Sequence, residues 1–127
     1  GRACKGGRAL ADGFRIYEEK RDSVVVLRLE GFLDAHTAAS FENAIQKKVE
    51  EGETCLAVDG SKLNYISSAG LGVFMSFIEE LRDKNGDIRI GGLIPKVRQV
   101  FEILGFTEIL QLFNTVDEAV ESFQSER

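Results

Sequence analysis

The 127-residue chain has no apolar run approaching the roughly 20 residues that cross a bilayer, so nothing in it reads as a membrane-spanning helix. It has no excess of positive charge either. Sixteen Lys and Arg stand against 21 Asp and Glu, a net charge of -5, and neutralising phosphates requires clustered cations. Direct nucleic-acid binding and anionic-membrane binding are therefore not expected, and a protein partner or a small ligand fits better. Cysteine is scarce, and Cys4 and Cys55 are too far apart in sequence to suggest a disulfide framework, which points to a reducing, cytoplasmic setting. The single histidine, His36, makes no zinc site with those two thiols and has no evident route to a serine nucleophile. Gly-x-Ser-x-Gly and Gly-x-x-x-x-Gly-Lys-(Ser/Thr) are both missing, and "GLGVF" is too short for a dinucleotide fingerprint. No catalytic residues, metal or cofactor are expected, and the chain does not read as an enzyme.

What is present suits one ordinary globular domain, with 43% hydrophobic and 29% charged residues and a length that buries a sizeable core without a metal or disulfide staple. Residues 1–13, "GRACKGGRALADG", lack periodicity and a secretory-signal order. They read as a flexible tail, tag remnant or linker, leaving 14–127 as a single domain.

From Phe14, "FRIYEEK" alternates at the strand period, and "SVVVLRLEG" from Ser23 is β-branched enough for a buried strand. From Asp34 to Glu51 apolar residues recur three or four apart (Ala38, Phe41, Ile45, Val49), which predicts an amphipathic helix ended by Gly52. Thr54 to Ser61 reads as a central strand. Gly70, Phe74, Phe77 and Leu81 form the inner face of a second helix that stops at Asn85-Gly86, and Asp87 to Leu93 resumes strand character. Pro95 opens a short helix that Gly105-Phe106 closes, Ile109 to Phe113 is a last strand, and Thr115 with Glu118 forms a capping box for a final helix. The order ββαβαβαβα predicts an α/β domain with a mostly parallel sheet of about five strands and about four helices. Loops after the carboxyl ends of such strands are where sites are usually built.

One of those loops is "ISSAGLG", with Ser67 and Ser68 just ahead of the second helix. Either serine serves as an N-cap, worth about 1 kcal/mol, with no further role. Alternatively, a hydroxyl at a helix N-terminus is a phosphoacceptor whose phosphate the helix dipole tolerates and whose charge repels a docked partner. Leu71 and Met75 lie on the helical wheel beside the core face and next to Ser68, which makes them candidates for apolar partner contact. Asp34 is a helix cap, shared with Thr37, or a lining residue of the same pole. Asp59 and Ser61 read as turn-shaping residues, and Lys96 with Arg98 as a small basic spot.

"DGSKLNYISSAGLGVF" (Asp59 to Phe74), together with "GFLDAHT" (Gly31 to Thr37), resembles the STAS domain of bacterial anti-sigma-factor antagonists, over about residues 14 to 124. Asp59, Ser61, Tyr65, Ile66, Ser68, Gly70, Leu71 and Gly72 match that family's regulatory motif. The resemblance implies a STAS-like fold of the same element order and a phosphorylated serine at Ser68, with Ser67 the second candidate. It also places Asp34 at the same pole. Ser67 stands where those antagonists usually carry Asp, and Ala69 where they carry a second hydroxyl. By resemblance the unphosphorylated chain binds an anti-sigma factor that is also a GHKL-type serine kinase, phosphorylation releases it, and a PP2C-type phosphatase restores it. The alternative implied by the same fold is an unphosphorylated binding subunit of a transport or ligand-sensing system.

Overall fold

The computed structural model describes residues 8–11 and 13–125, with side chains from residue 13 onward. Its elements are β1 (Arg8–Ala11), β2 (Phe14–Arg21), β3 (Val24–Leu33), α1 (Ala38–Glu50), β4 (Cys55–Ile66), α2 (Ser68–Asp83), β5 (Asp87–Gly91), α3 (Pro95–Ile103), β6 (Leu112–Phe113) and α4 (Val116–Gln124). The strands form one sheet in the order β1-β2-β3-β4-β5-β6. The first three are antiparallel neighbours, whereas β3 to β6 run parallel, so the expected α/β architecture and element order hold. Among the described residues no helix is long and apolar enough to cross a membrane.

The stretch 1–13 had been set outside the fold, yet Arg8–Ala11 pairs with β2 and adds a sixth strand. Its residues carry little strand propensity, and the pairing comes from the neighbouring edge. Residues 1–7 and 12 of that stretch lie outside the described residues.

Successive parallel strands joined by right-handed crossovers put α1, α2 and α3 on one face of the sheet. There Leu27, Leu29, Val58, Leu63, Ile88 and Ile90 meet Phe41, Phe74 and Phe101 in the main core. Phe41, Phe74, Phe101 and Phe106 run edge to face across the three helices, with ring centroids 5.1, 5.9 and 6.4 Å apart. The opposite face is only half covered. Helix α4 lays Ala119, Val120 and Phe123 over Val24, Val26 and Ala57, and among the described residues no helix covers the outer faces of β2 and the upper halves of β3 and β4.

The largest boundary differences from expectation each have a local reason. Helix α1 starts at Ala38 instead of Asp34 because Asp34 to Thr37 closes its own turn. Strand β4 continues past Ser61 to Ile66 by means of two bulges: Arg28 pairs with Asp59 but Glu30 with Lys62, and Gly31 with Leu63 but Phe32 with Tyr65. The last strand shrinks to Leu112–Phe113, since the backbone N–H groups of Ile109 and Leu110 donate back to the Phe106 carbonyl in a 3₁₀ turn and are lost to the ladder.

Candidate functional site

The pairing of Leu33 with Ile66 ends β3 and β4 side by side, so the residues that follow them, Asp34 and Ser67, emerge together at one end of the sheet. The Ser67 N–H donates to the Leu33 carbonyl at 2.9 Å and pins the two loops to each other. On the β3 side, Asp34 and Thr37 satisfy one another. Asp34 Oδ1 accepts from the N–H of His36 (2.9 Å) and of Thr37 (3.2 Å), while Thr37 Oγ1 accepts from the Asp34 N–H at 2.9 Å. The Thr37 hydroxyl also donates to the Phe32 carbonyl at 2.8 Å, and the side chain is buried. Asp34 thus closes the turn that precedes α1, with Thr37 its reciprocal partner, and is not the helix cap expected: Thr37 occupies the N-cap of α1 and makes no side-chain bond into the helix, because both side chains are spent within the turn. Its half-buried carboxylate stays at the same end as the serines.

The two serines divide their duties. Ser67 sits at the N-cap in extended backbone (φ -104°, ψ 175°), and its hydroxyl accepts a long bond from the Gly70 N–H at 3.4 Å. Ser68 is the first helical residue. It is exposed, and its hydroxyl makes no hydrogen bond within the described residues. The capping role falls to Ser67, which leaves Ser68 with a solvent-facing alcohol at the positive end of a 16-residue helix. Gly70 explains why the helix can begin so close to the sheet. A Cβ there would lie 2.7 Å from Leu33 Cγ and 3.0 Å from Ile66 Cγ1.

Leu71 does not belong to this surface. It is 1% exposed and part of the main core, because the tight approach at Gly70 turns the next residue inward. Met75 packs partly against the same core and keeps only intermediate exposure. What faces solvent along the start of α2 is small: Ser68, Ala69, Gly72 and Ser76.

The exposed apolar groups at this end come from the strands instead. Phe32 (49% exposed) and Tyr65 (50% exposed) are register partners on β3 and β4. Tyr65 also borders a hollow of about 100 Å³ lined by Asn64, Val97, Val100 and Lys96 of α3. Sequence reasoning gave Phe32 no role and took Tyr65 only as a motif match. Strand period was the available signal for Phe32, since Val25, Leu27, Leu29 and Leu33 face the core and the even positions must face away. Asp59 Oδ1 accepts from the Ser61 N–H at 3.0 Å, so this pair shapes the first bulge of β4, in line with its reading as turn-forming. Arg98 is held by Glu102 at 3.1 Å. Among the described residues no cluster of acidic, histidine or cysteine side chains could hold a metal ion. His36 is exposed, and among the described residues only its backbone N–H is engaged.

Comparison with known proteins places this arrangement. The STAS domain family matches residues 16–119. BtrV of Bordetella bronchiseptica, provisionally named an anti-sigma factor antagonist, is 34% identical over 111 residues, covering 87% of this chain and 96% of BtrV. The crystal structure of an anti-sigma factor antagonist from Mycobacterium paratuberculosis superposes with a TM-score of 0.82 at 26% identity, over 89% of this chain and 96% of that one. The Bacillus cell fate determinant SpoIIAA, also an anti-sigma factor antagonist, is similar in two states. Its unphosphorylated form gives a TM-score of 0.74 at 26% identity, covering 88% of this chain and 96% of that one. Its phosphorylated form gives 0.65 at 25%, covering 86% and 97%.

Proposed function

The chain belongs to the STAS domain family, and from that premise we propose that it is an anti-sigma factor antagonist whose binding is switched by phosphorylation of Ser68. Unmodified, it docks the end of the sheet that carries Asp34, Ser67 and Ser68 onto an anti-sigma factor that is also a GHKL-type serine kinase. Binding there frees the sigma factor.

The observation that carries this reading is the division of labour between the serines: Ser67 caps α2, while the Ser68 hydroxyl is exposed and unbonded. On the partner, Ser68 Oγ attacks the γ-phosphorus of ATP, the bond to the bridging oxygen breaks, ADP leaves, and the serine proton passes to a base on the kinase. The added charge of about -1.5 to -2 sits at a helix N-terminus, where the backbone N–H groups and dipole favour it, so the fold is preserved. Facing a partner surface, the same charge costs desolvation and repulsion, and the complex separates. A PP2C-type phosphatase hydrolyses the phosphoester and returns the alcohol. The domain performs no catalysis itself. The similarity to SpoIIAA, which exists in unphosphorylated and phosphorylated forms, supports a phosphorylation switch on this fold.

The experiment is incubation with ATP and candidate GHKL-type anti-sigma factors, with mass-spectrometric site mapping and pulldown. Phosphate on Ser68 is the expected result, with Ser68→Ala binding as the wild type does and Ser68→Asp binding at least tenfold more weakly. Equal binding by the two variants, or phosphate on Ser67 with Ser68 unmodified, would overturn the mechanism.

A further inference from the structure

The uncovered half of the sheet's second face has a composition that stability alone does not explain. Reading across the strands, one row is Tyr17, Arg28 and Asp59, the next is Arg15, Glu30 and Lys62, and the uppermost holds Phe32 and Tyr65. Both of the upper rings are half exposed, although burying either would be worth about 1.5–3 kcal/mol. Their cationic neighbours are also left open. Arg15 and Lys62 are exposed and form no ion pair among the described residues. Arg28 stacks on Tyr17 at 4.6 Å, while its shielded Nε makes no hydrogen bond, with the nearest carboxylate, Glu30, at 3.6 Å. Arg28 and Glu30 offset one another, so in a chain of net charge -5 the two unmatched cations, Arg15 and Lys62, beside an aromatic pair are a local reversal of sign.

We infer that this face is a second docking surface for the same anti-sigma factor, taking a segment of it that presents an apolar side chain flanked by carboxylates. The identity of the partner rests on the function proposed above; the chemistry of the segment rests on this face. Phe32 and Tyr65 accept the apolar group, and Arg15 and Lys62, in the row beneath them, face the carboxylates. Two half-exposed rings offer about 200 Å² of aromatic surface, well short of the roughly 800 Å² per partner in a stable interface. The patch therefore works as part of a larger contact, and it is continuous with the serine end: Phe32 and Tyr65 are each two residues from Asp34 and Ser67. The rest of an acidic surface repels a carboxylate-bearing segment, so the cationic patch also fixes the direction of approach.

The test is the affinity and association rate of the full chain for the anti-sigma factor that phosphorylates Ser68, measured with Phe32→Ser, Tyr65→Ser and the Arg15→Glu, Lys62→Glu double variant. Each aromatic variant is expected to weaken binding about 30-fold, as for a truncated interface anchor, with Ser68 still the acceptor in long incubations. The charge variant is expected to slow association about tenfold at low salt, with the difference fading as salt rises. The charge variant alters no packed side chain and decides the question should an aromatic variant fail to fold. Binding by all three variants within twofold of the wild type overturns this inference and leaves the Ser68 switch standing, whereas a wild-type chain that binds no anti-sigma factor overturns both.

Discussion

The two ends of the parallel strands treat their polar groups in opposite ways. At the end away from the serines, Asp87 and Arg89 are almost fully buried and fully engaged. Asp87 accepts from Arg82 Nε and Arg89 Nε, each at 3.0 Å, and from the Ile88 N–H at 2.9 Å. Arg89 goes on to the Ser122 hydroxyl at 2.9 Å and lies over the Phe123 ring at 4.2 Å, while Arg82 donates to the Ile109 carbonyl at 2.7 Å. One carboxylate thus ties α2, β5 and α4 together. At the serine end the buried polar group, Thr37, is likewise satisfied, but Ser68, Arg15, Lys62 and the two half-exposed rings are not. The difference separates groups that hold the fold from groups that the fold leaves open, which the proposed function assigns to a partner.

The largest effect expected from breaking that contrast is at the saturated end. Asp87→Ala removes the shared acceptor of two guanidinium groups and leaves buried positive charge behind, at a cost of about 3 kcal/mol. Urea unfolding should show a correspondingly lower midpoint, and the folded fraction should still accept phosphate on Ser68. A loss below about 1 kcal/mol would mean that this network is not what secures the end.

An intermediate effect is expected where the two kinds of group meet. Gly70→Ala places a methyl group 2.7 Å from Leu33 Cγ, and overfilling of this sort costs about 1–3 kcal/mol, offset by about 1 kcal/mol of gained helix propensity. The net destabilisation in a thermal melt should be modest. Because the clash lifts the start of α2 from β3, phosphorylation of Ser68 should fall more than stability does. Stability and phosphorylation falling in proportion would show that the loop geometry is not itself tuned.

Much of the architecture was legible because each signal was local. The stripe of Phe41, Ile45 and Val49 gives α1, and Gly105 adopts the left-handed φ of 78° that ends α3. Thr115 caps α4 by accepting from the Glu118 N–H as expected, while Glu118 Oε1 reaches one residue further back, to the Asn114 N–H, instead of closing the box on Thr115. What stayed hidden depended on neighbours. Arg8–Ala11 becomes a strand only because β2 offers an edge. The two bulges of β4 switch its inward positions from Leu56 and Val58 to Leu63 and then Ile66, so no single period locates Tyr65. Leu71 lies on the boundary of the helical wheel, and its burial follows from how closely Gly70 lets α2 approach Leu33, a distance that periodicity does not carry. The cap of α2 at Ser67 was legible, since it is fixed within a few residues, whereas Asp34 closes its own turn instead of capping α1. The site's apolar component was not legible, because exposure of a ring is decided by which face a helix fails to cover.

The smallest effect expected is also the sharpest test of the contrast, since it compares adjacent residues. Ser67→Ala removes the cap of α2 and frees the Gly70 N–H, costing about 1 kcal/mol in unfolding free energy. Ser68→Ala removes a hydroxyl that bonds to nothing and puts a better helix former in the first turn, so stability should stay within about 0.5 kcal/mol of the wild type. Phosphate incorporation should show the reverse order, persisting in Ser67→Ala and vanishing in Ser68→Ala. The two measurements cross because one alcohol spends its lone pair on the backbone while its neighbour spends nothing. If stability and phosphorylation instead fall together at either serine, capping and switching are one function shared by the pair, and the separation between fold-holding and partner-facing groups breaks down at the place where it should be clearest.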